Sequence, residues 1–244
     1  MCGLAWQPAG TKLTRRLLLL LSLFLLAVPI GSRAAETKGQ FQAADLVQDN
    51  QPIDLKQEKY QQLFQELREQ HRFSQGELQR IFNGLTIQRK ILELMDRQVE
   101  AKPYYSYAPL FITEQNIRRG REMLAEHKEL LDRIEARFGV EREVLVAVWG
   151  VESRYGGHVG DYNILRTLNT LFDAYPRRSR FFRQQLIDFL LLCRENQLDP
   201  TKMQGSYAAA FGQTQFIPSS FLAYAVDFDG DGVRDVWRST PDVL

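Results

Sequence analysis

The sequence predicts a mainly α-helical fold. Apolar residues recur every three or four positions through most of the chain, which is the spacing of one face of an α-helix. Capping residues precede several of these stretches, and no convincing alternation of apolar and polar residues indicates a sheet. The composition, with 44% hydrophobic and 25% charged residues, is that of an ordinary globular chain of one large domain or two small ones.

Residues 1–34 are predicted to be a secretory signal peptide. Lys12, Arg15 and Arg16 precede a short apolar run, and small residues lead to a cleavage site after Ala34. A membrane anchor is the weaker interpretation, because the run is shorter than the roughly 20 residues that span a bilayer. No cysteine lies near the cleavage site to accept a lipid, so a soluble, secreted protein is expected.

Loss of the signal peptide also changes the charge of the chain. The formal net charge of +1 falls to about −3, because the segment carries four basic residues and no acidic one. The remaining chain lacks the basic excess of a nucleic-acid binder. Cys193 is then left as a single cysteine without an internal disulfide partner, and it is expected to be a buried hydrophobic residue.

Residues 35–110 are predicted to form a linker and an N-terminal helical region. The linker, residues 35–53, is polar and irregular. Three short helices should follow; the second begins with the capping-box pattern of Ser74 and Glu77, and the third begins at Thr86. Their apolar residues have the spacing of core faces, and nothing in them indicates chemistry.

Three tyrosines, Tyr104, Tyr105 and Tyr107, lie in a segment bracketed by Pro103 and Pro109. Proline disfavours the helical conformation of the residue before it, so this segment is expected to be extended or looped. Exposed tyrosine rings suit stacking on sugars. The alternative is that these rings plug a loop onto the core.

Residues 144–151 form an apolar run in the middle of the chain. Before it, Thr113 is expected to cap one long helix that ends at Gly139. The run is too long for most strands, so it predicts a helix buried nearly all round. This helix should pack against the preceding one and stop at Gly156 or Gly157.

Glu152 closes the apolar run and is the candidate catalytic residue. In the last helical turn the exposed carbonyls disfavour a second negative charge, and apolar surroundings disfavour the ionised form. Both effects would raise the pKa of the carboxyl. A carboxylic acid that stays protonated near neutral pH is suited to general acid catalysis on a glycoside. The alternative is a structural ion pair with Arg154 or with another arginine.

Two later stretches carry polar residues that a ligand could contact. A helix that starts at Pro176 has Arg177 and Arg178 in its first turn, where positive charge is unfavourable; this indicates an anionic ligand or, alternatively, solvated arginines. The stretch 206–221 sets two glutamines among small and apolar residues, as a pocket that orients amides or hydroxyls would need. A tight turn between helices is the alternative.

The sequence D-F-D-G-D-G-V-R-D at residues 227–235 resembles a calcium loop of the EF-hand type. Aspartates occupy positions one, three and five, and glycine occupies position six, where the loop turns sharply. Position twelve is Arg238, which cannot supply the usual carboxylate, so the loop either is weak or closes on Asp242. An acidic surface turn is the alternative. The candidate metal ligands are Asp227, Asp229, Asp231, Asp235 and Asp242.

Taken together, these residues are similar to the membrane-bound lytic transglycosylase B family, the bacterial enzymes of murein turnover in glycoside hydrolase family 103. The resemblance runs from about Tyr60 to Leu244. It rests on G-V-E-S-R-Y-G around Glu152, Y-P-R-R at residues 175–178, S-Y-A-A-A-F-G-Q-T-Q-F-I-P-S-S at residues 206–220, and the acidic loop.

The resemblance implies a lysozyme-like helical catalytic core over residues 111–244, with an EF-hand-type loop at 227–242 and the N-terminal helical region in addition. Family members continue beyond the position of Leu244, so this core is expected to be C-terminally truncated and incomplete. Localisation in the periplasm follows from the same resemblance and from the predicted signal peptide.

The reaction that the resemblance implies is cleavage of the MurNAc–GlcNAc β-1,4 bond of peptidoglycan without water, leaving 1,6-anhydro-MurNAc ends. Glu152 would act first as the acid and then as the base. No cofactor would be required for catalysis, and calcium would be structural. By position, the substrate-binding residues are Tyr107, Arg177, Arg178, Ser206 and Gln215.

Peptidoglycan glycan strands are therefore the expected partner, with cell-wall synthases as further candidates, no nucleic acid, and a monomeric state. Ordinary glycosidases need two carboxylates beside the bond, and only Glu152 is well placed in the sequence. Asp161 is the nearby candidate for a second carboxylate, although a turn residue is its simpler role. Two alternatives stay open: a muramidase that uses water, and a non-catalytic, calcium-stabilised cell-wall binding module.

Overall fold

A computed structural model of the chain describes residues 42–97 and 103–244, and these residues form a mainly α-helical fold, as predicted. The signal peptide predicted for residues 1–34, and the part of the predicted linker up to residue 41, lie outside the described residues. Within residues 42–97 and 103–244, no helix combines the length and the apolar character needed to cross a membrane.

The N-terminal helical region contains three short helices, as the periodicity predicts. The capping box is confirmed, because the Ser74 hydroxyl accepts a hydrogen bond from the Glu77 amide and the Glu77 carboxylate accepts one from the Ser74 amide. The third helix begins later than Thr86, since Thr86 pairs instead with Pro52 in an isolated β-bridge. After a 3-10 turn at Ala43–Leu46, the helices are α1 (Glu58–Glu69), α2 (Gln75–Phe82) and α3 (Arg89–Asp96).

The central part of the chain differs from prediction in two places. The segment after Pro103 is a single helical turn rather than extended or looped, because proline is well accommodated at the start of a helix. The single helix expected between Thr113 and Gly139 is two helices, which meet at His127, whose ring packs 5.8 Å from that of Trp149. The elements are α4 (Tyr104–Tyr107), a 3-10 turn (Ala108–Leu110), α5 (Glu114–Glu126), α6 (Lys128–Phe138) and α7 (Arg142–Ser153).

Helix α7 is buried on one face only, so the prediction of burial nearly all round is wrong. Val146 and Trp149 are buried where α7 packs against α5 and α6. Val144, Val148 and Val151 are exposed by 50, 53 and 46%. These three valines are spaced by one helical turn, so they form one stripe that no described element covers. Apolar composition alone cannot indicate how many sides of a helix have neighbours.

The C-terminal part is built on two packed helices, α8 (Ile164–Ala174) and α9 (Ser179–Glu195). A 3-10 turn at Pro176–Arg178 joins them, so Pro176 starts this turn and the long helix begins at Ser179, three residues later than predicted. The described residues also contain a small antiparallel sheet that the sequence did not predict, in which Tyr162 pairs with Gly205. The remaining elements are β1 (Tyr162–Asn163), β2 (Gln204–Gly205), α10 (Pro218–Tyr224) and α11 (Thr240–Val243).

Two hydrophobic cores organise the described residues. The larger one joins α1–α3 to α8–α10, and Cys193 is buried in it, as expected. The smaller one is built on four residues: Met123, Leu131, Val146 and Trp149. At its edge, Arg142 of α7 pairs with Asp132 and Glu135 of α6. The division of the chain at residues 34 and 110 stays a prediction.

Candidate active site

The carboxyl group of Glu152 lies in the last turn of α7, as predicted, but the helix ends before the glycines. It ends at Ser153, and Arg154 and Tyr155 then adopt left-handed conformations with φ of 52° and 59°, followed by Gly156 at 79°. For a residue with a side chain this region costs roughly 1–2 kcal/mol. The expected stop at Gly156 or Gly157 is therefore wrong, and contacts elsewhere must offset the strain.

The ring of Tyr155 supplies these contacts by packing between α5 and α7. Its hydroxyl donates a hydrogen bond to the main-chain carbonyl of Asn116 over 3.0 Å, and its ring meets that of Trp149 edge to face at 5.6 Å. Glycine is needed on both helices, because a Cβ added at Gly120 or Gly150 would lie 2.8 or 2.6 Å from the Tyr155 hydroxyl oxygen. The turn after Glu152 is thus held by α5.

Among the described residues, the Glu152 side chain makes no ion pair or hydrogen bond. Arg154 makes no ion pair in these residues either, so the structure gives no support to the alternative of a structural pair between the two. The Glu152 side chain is exposed, and partial desolvation raises its pKa above the ordinary value of a glutamate. The direction agrees with the prediction. The extent of burial is smaller than predicted, because the Val151 side of α7 is open.

Glu152 lines a cleft of about 490 Å³. Three of the predicted substrate-binding residues, Tyr107, Ser206 and Gln215, line the same cleft, although up to 108 positions separate them in the chain. Sequence reasoning missed several other lining residues. Tyr207 lies within the motif at residues 206–220 and His158 lies two residues after the motif around Glu152, so their positions could have indicated them, and Asp161 was already a candidate second carboxylate. The further lining residues are Phe111, Val151, His158, Gly160, Asp161, Tyr162, Tyr207, Ala208 and Ala210.

Part of the cleft lining is a loop closed by its own hydrogen bonds. The Ser206 hydroxyl accepts a hydrogen bond from the Ala210 amide at 3.1 Å, and the Ser206 amide donates one to the Ala210 carbonyl at 2.7 Å. The amide group of Gln215 donates to the carbonyls of Val159 and Gly212, at 3.1 and 2.9 Å. Both amide hydrogens of Gln215 are thereby used, which leaves its carbonyl oxygen to accept a hydrogen bond from a ligand.

Arg177 and Arg178 are not among the residues that line the cleft. Both are exposed in the 3-10 turn before α9. The guanidinium of Arg178 lies 4.2 Å from the centre of the Phe181 ring and 5.4 Å from that of Phe182, which is a cation–π arrangement. A role for the two arginines in substrate binding stays a prediction.

The acidic loop brings three of its five predicted ligands together. Carboxylate oxygens of Asp227, Asp229 and Asp242 all lie within 4.8 Å of one another. Asp231 and Asp235 lie outside this group: the Asp235 carboxylate accepts hydrogen bonds from the amides of Trp237 and Arg238, both at 2.9 Å, and Asp231 accepts one from Val233. A donor set of hard carboxylate oxygens suits calcium.

The backbone of the loop agrees with closure on Asp242 rather than on Arg238. Asp242 is buried, and its two carboxylate oxygens accept hydrogen bonds from Phe228 and Asp235 amides, each at 2.8 Å. Gly232 has a φ of 90°, so position six needs glycine.

A family model described as Transglycosylase SLT domain matches residues 56–244. The chain belongs to this family. The resemblance identified from the sequence motifs is thereby confirmed, and the match spans both the N-terminal helical region and the cleft.

Known members of the transglycosylase family are similar over most of this chain. Membrane-bound lytic murein transglycosylase B of Escherichia coli (strain K12) is 37% identical over 187 residues, which are 72% of this chain and 52% of the relative. This chain therefore spans about half the length of that curated relative.

Two solved structures, one of them described as a lytic transglycosylase, show the same fold. Escherichia coli Slt35 in complex with calcium is 36% identical, with a TM-score of 0.71 over 78% of this chain and 61% of its own. Pseudomonas aeruginosa SltB3 in complex with NAG-NAM-pentapeptide is 35% identical, with a TM-score of 0.67 over 76% of this chain and 50% of its own. The lysozyme-like helical fold implied by the resemblance agrees with these neighbours.

Proposed function

We propose that this chain is a peptidoglycan lytic transglycosylase in which Glu152 is the single catalytic acid and base. The observation that carries the proposal is a carboxyl group with a raised pKa and no ion-pair partner in residues 42–97 and 103–244, on the wall of a cleft that also holds polar groups able to bind a sugar. A structural carboxylate would instead be expected in an ion pair or a capping interaction.

The first step is protonation of the glycosidic oxygen. The protonated Glu152 donates its proton to the oxygen that links MurNAc to GlcNAc, and the C1–O bond of MurNAc breaks as positive charge develops on that sugar. Desolvation by the cleft keeps the carboxyl protonated at a higher pH than in water. The N-acetyl group of MurNAc would stabilise the oxocarbenium-like centre.

In the second step Glu152, now a carboxylate, takes the proton of the MurNAc 6-hydroxyl. The 6-oxygen attacks C1 and closes the 1,6-anhydro ring, so one proton enters and one leaves, and water is not consumed. One carboxyl group at the end of α7 suffices for both steps. The carbonyl oxygen of Gln215 and the ring of Tyr107 would orient the sugars, the former by accepting a hydrogen bond and the latter by stacking.

The relatives support the substrate class. The Escherichia coli relative is described as a murein transglycosylase, and the Pseudomonas aeruginosa neighbour is a complex with NAG-NAM-pentapeptide. The predicted signal peptide would deliver the chain to the periplasm, where peptidoglycan lies.

We also propose a structural calcium ion at loop 227–242, held by Asp227, Asp229 and Asp242. The calcium complex of the Slt35 neighbour supports this assignment.

A hydrolytic reaction is a second candidate, because the structure places Asp161 on the wall of the same cleft. If Asp161 activated a water molecule, the products would carry reducing MurNAc ends. Anhydro ends distinguish the two reactions, since each anhydro product is lighter by one water.

The decisive experiment is digestion of purified murein by the protein and by Glu152→Gln, with the products analysed by mass spectrometry. The variant should bind murein and release no product, because its amide can neither donate an acidic proton nor accept one. Glu143→Gln is the matched control, since Glu143 lies in the first turn of the same helix and outside the cleft. Unchanged turnover by Glu152→Gln would exclude Glu152 as the acid.

A further inference from the structure

The side chain of Gln213 lies between the helix that carries Glu152 and the end of the acidic loop. Its carbonyl oxygen accepts a hydrogen bond from the indole nitrogen of Trp149 at 2.9 Å. Its amide nitrogen donates to the main-chain carbonyl of Trp237 at 3.0 Å. Trp149 precedes Glu152 by three residues on α7, and Trp237 lies within loop 227–242. One side chain therefore connects the catalytic helix to the loop.

The loop end of this connection is held by several contacts. The main-chain amide of Gln213 donates a hydrogen bond to the main-chain carbonyl of Val236 at 2.8 Å. The ring of Phe211 stacks on that of Trp237, with 5.4 Å between the ring centres and 9° between the planes. A Cβ added at Gly212 would lie 2.6 Å from a Val236 side-chain carbon. Residues 236 and 237 are thus packed tightly against 211–213.

The side chain of Gln213 also packs closely against the end of α7 and the turn that follows it. A Cβ added at Gly156, in the left-handed turn after Glu152, would lie 2.4 Å from the carbonyl oxygen of Gln213. Trp149 itself is 6% exposed, and its ring contacts Tyr155 and His127. A movement of Gln213 would therefore displace either the Trp149 ring or the turn, and both lie within four residues of Glu152 along the chain.

We propose that Gln213 is a positioning residue that couples the conformation of loop 227–242 to the helix end that carries Glu152. The connection runs from Asp242, which accepts the Asp235 amide, through residues 236 and 237 to Gln213 and Trp149. A cation held by Asp227, Asp229 and Asp242 would fix this chain of contacts. The inference extends the proposed function, because it assigns to the loop a role at the catalytic acid.

The tryptophans offer a readout that does not depend on turnover. The sequence has three, Trp6, Trp149 and Trp237. The indole nitrogen of Trp237 is buried without a hydrogen-bond partner among the described residues, so phenylalanine at this position removes no hydrogen bond. The chain with Trp6→Phe and Trp237→Phe then reports on Trp149 alone.

The experiment is a calcium titration of this single-tryptophan chain, followed by Trp149 emission, with calcium binding measured separately by calorimetry. We expect a shift in the emission of Trp149 on calcium binding. Gln213→Leu should abolish the shift while calcium still binds. Gln213→Glu should do the same, because it keeps an acceptor for the Trp149 indole but replaces the donor to the Trp237 carbonyl.

Gln185→Leu is the matched control. Gln185 is buried and, like Gln213, bridges two segments with both ends of its side-chain amide, here to Ser219 at 2.9 and 3.0 Å, but it contacts neither α7 nor the loop in these hydrogen bonds. Gln185→Leu should keep the calcium-dependent shift in Trp149 emission. An emission spectrum that calcium leaves unchanged, or a full shift in Gln213→Leu, would overturn the proposal.

Turnover provides a second test. Gln213→Leu should lower kcat by between about tenfold and a hundredfold with little change in KM, since misplacement of a catalytic group by about 1 Å has an effect of this size. The emission test can succeed in Glu152→Gln, which is expected to be inactive. Failure of the coupling and failure of the proposed function are thus distinguishable.

Discussion

The hydroxyl of Tyr155 reaches from the turn after α7 to α5 and donates a hydrogen bond to the carbonyl of Asn116, 39 residues earlier in the chain. The ring fits because Gly120 and Gly150 have no side chains at the crossing. This contact offsets the strain of the two left-handed residues that follow α7. It therefore determines the direction in which the chain leaves Glu152 towards the cleft.

Gly150→Ala should disrupt this arrangement. The added methyl group would lie 2.6 Å from the Tyr155 ring, which must move. We expect a loss of about 1–3 kcal/mol in the free energy of unfolding, as for other overpacked sites, measured by urea denaturation. Activity should fall as well, because the turn beside Glu152 shifts.

Gly76→Ala is the control for this prediction. Gly76 lies in α2, and its added Cβ would meet an Arg80 side-chain nitrogen at an ordinary 3.7 Å. It should be neutral or stabilise by up to about 1 kcal/mol, because alanine favours helix more than glycine. Equal losses in the two variants would contradict the role assigned to the Tyr155 contact.

The raised pKa of Glu152 predicts how the stability of Glu152→Gln depends on pH. In the folded protein desolvation disfavours the ionised carboxyl, so the native state binds this proton more tightly than the unfolded chain. The associated stability is present below the unfolded pKa and is lost as pH rises through the folded pKa. Glutamine does not titrate, so the variant should gain stability relative to the parent as pH rises through this window.

Urea denaturation of both proteins on either side of the ordinary pKa of a glutamate measures this difference. The effect should be small, since the Glu152 side chain is exposed. A gain for the variant at low pH instead would mean that the folded pKa is lowered. The kcat/KM of the parent should fall over the same rise in pH, because a smaller fraction of the Glu152 carboxyl is then protonated and able to act as the acid.

Asp161→Asn tests the assignment of a single acid. If Glu152 performs both steps, this variant should keep turnover within about tenfold and still release anhydro products, because Asp161 has no proton-transfer role. Mass spectrometry of the murein digest gives both results. Loss of turnover by a factor of more than about 10³, as for the removal of a general base, would favour the hydrolytic mechanism.

Calcium should raise the melting temperature of the protein, and a chelator should return it to the metal-free value. At a calcium concentration 100 times Kd, binding to the folded state alone stabilises by about 2.7 kcal/mol. Asp242→Asn should reduce this shift strongly, since Asp242 belongs to the group of three close carboxylates.

Asp231→Asn is the comparison for the metal site, because Asp231 lies outside that group and accepts the Val233 amide. It should retain most of the calcium-dependent shift in melting temperature. A larger loss for Asp231→Asn than for Asp242→Asn would show that the loop closes around the cation differently from the arrangement described above.

Several features of this protein are determined by short-range interactions, and the sequence was sufficient for them. The Ser74–Glu77 capping box, the Thr113 cap and the left-handed Gly139 each depend on groups within four residues of one another. The conformation of the acidic loop near Gly232 is local in the same sense.

Other features are decided by contacts between distant residues, and only the tertiary structure shows them. Helix α7 ends at Ser153 because Tyr155 packs on α5. The long helix predicted from Thr113 is divided into α5 and α6 at His127, whose ring packs against that of Trp149. The exposed valine stripe of α7 likewise depends on which elements surround the helix.

The same holds for the cleft. Motif order could indicate that Glu152, Ser206 and Gln215 belong together, but not that Phe111 lines the same cleft or that Gln213 connects the acidic loop to Trp149. Helix periodicity and caps report interactions within a few residues. The direction of a side chain across a cleft depends on packing between segments far apart in the chain, which no local pattern encodes.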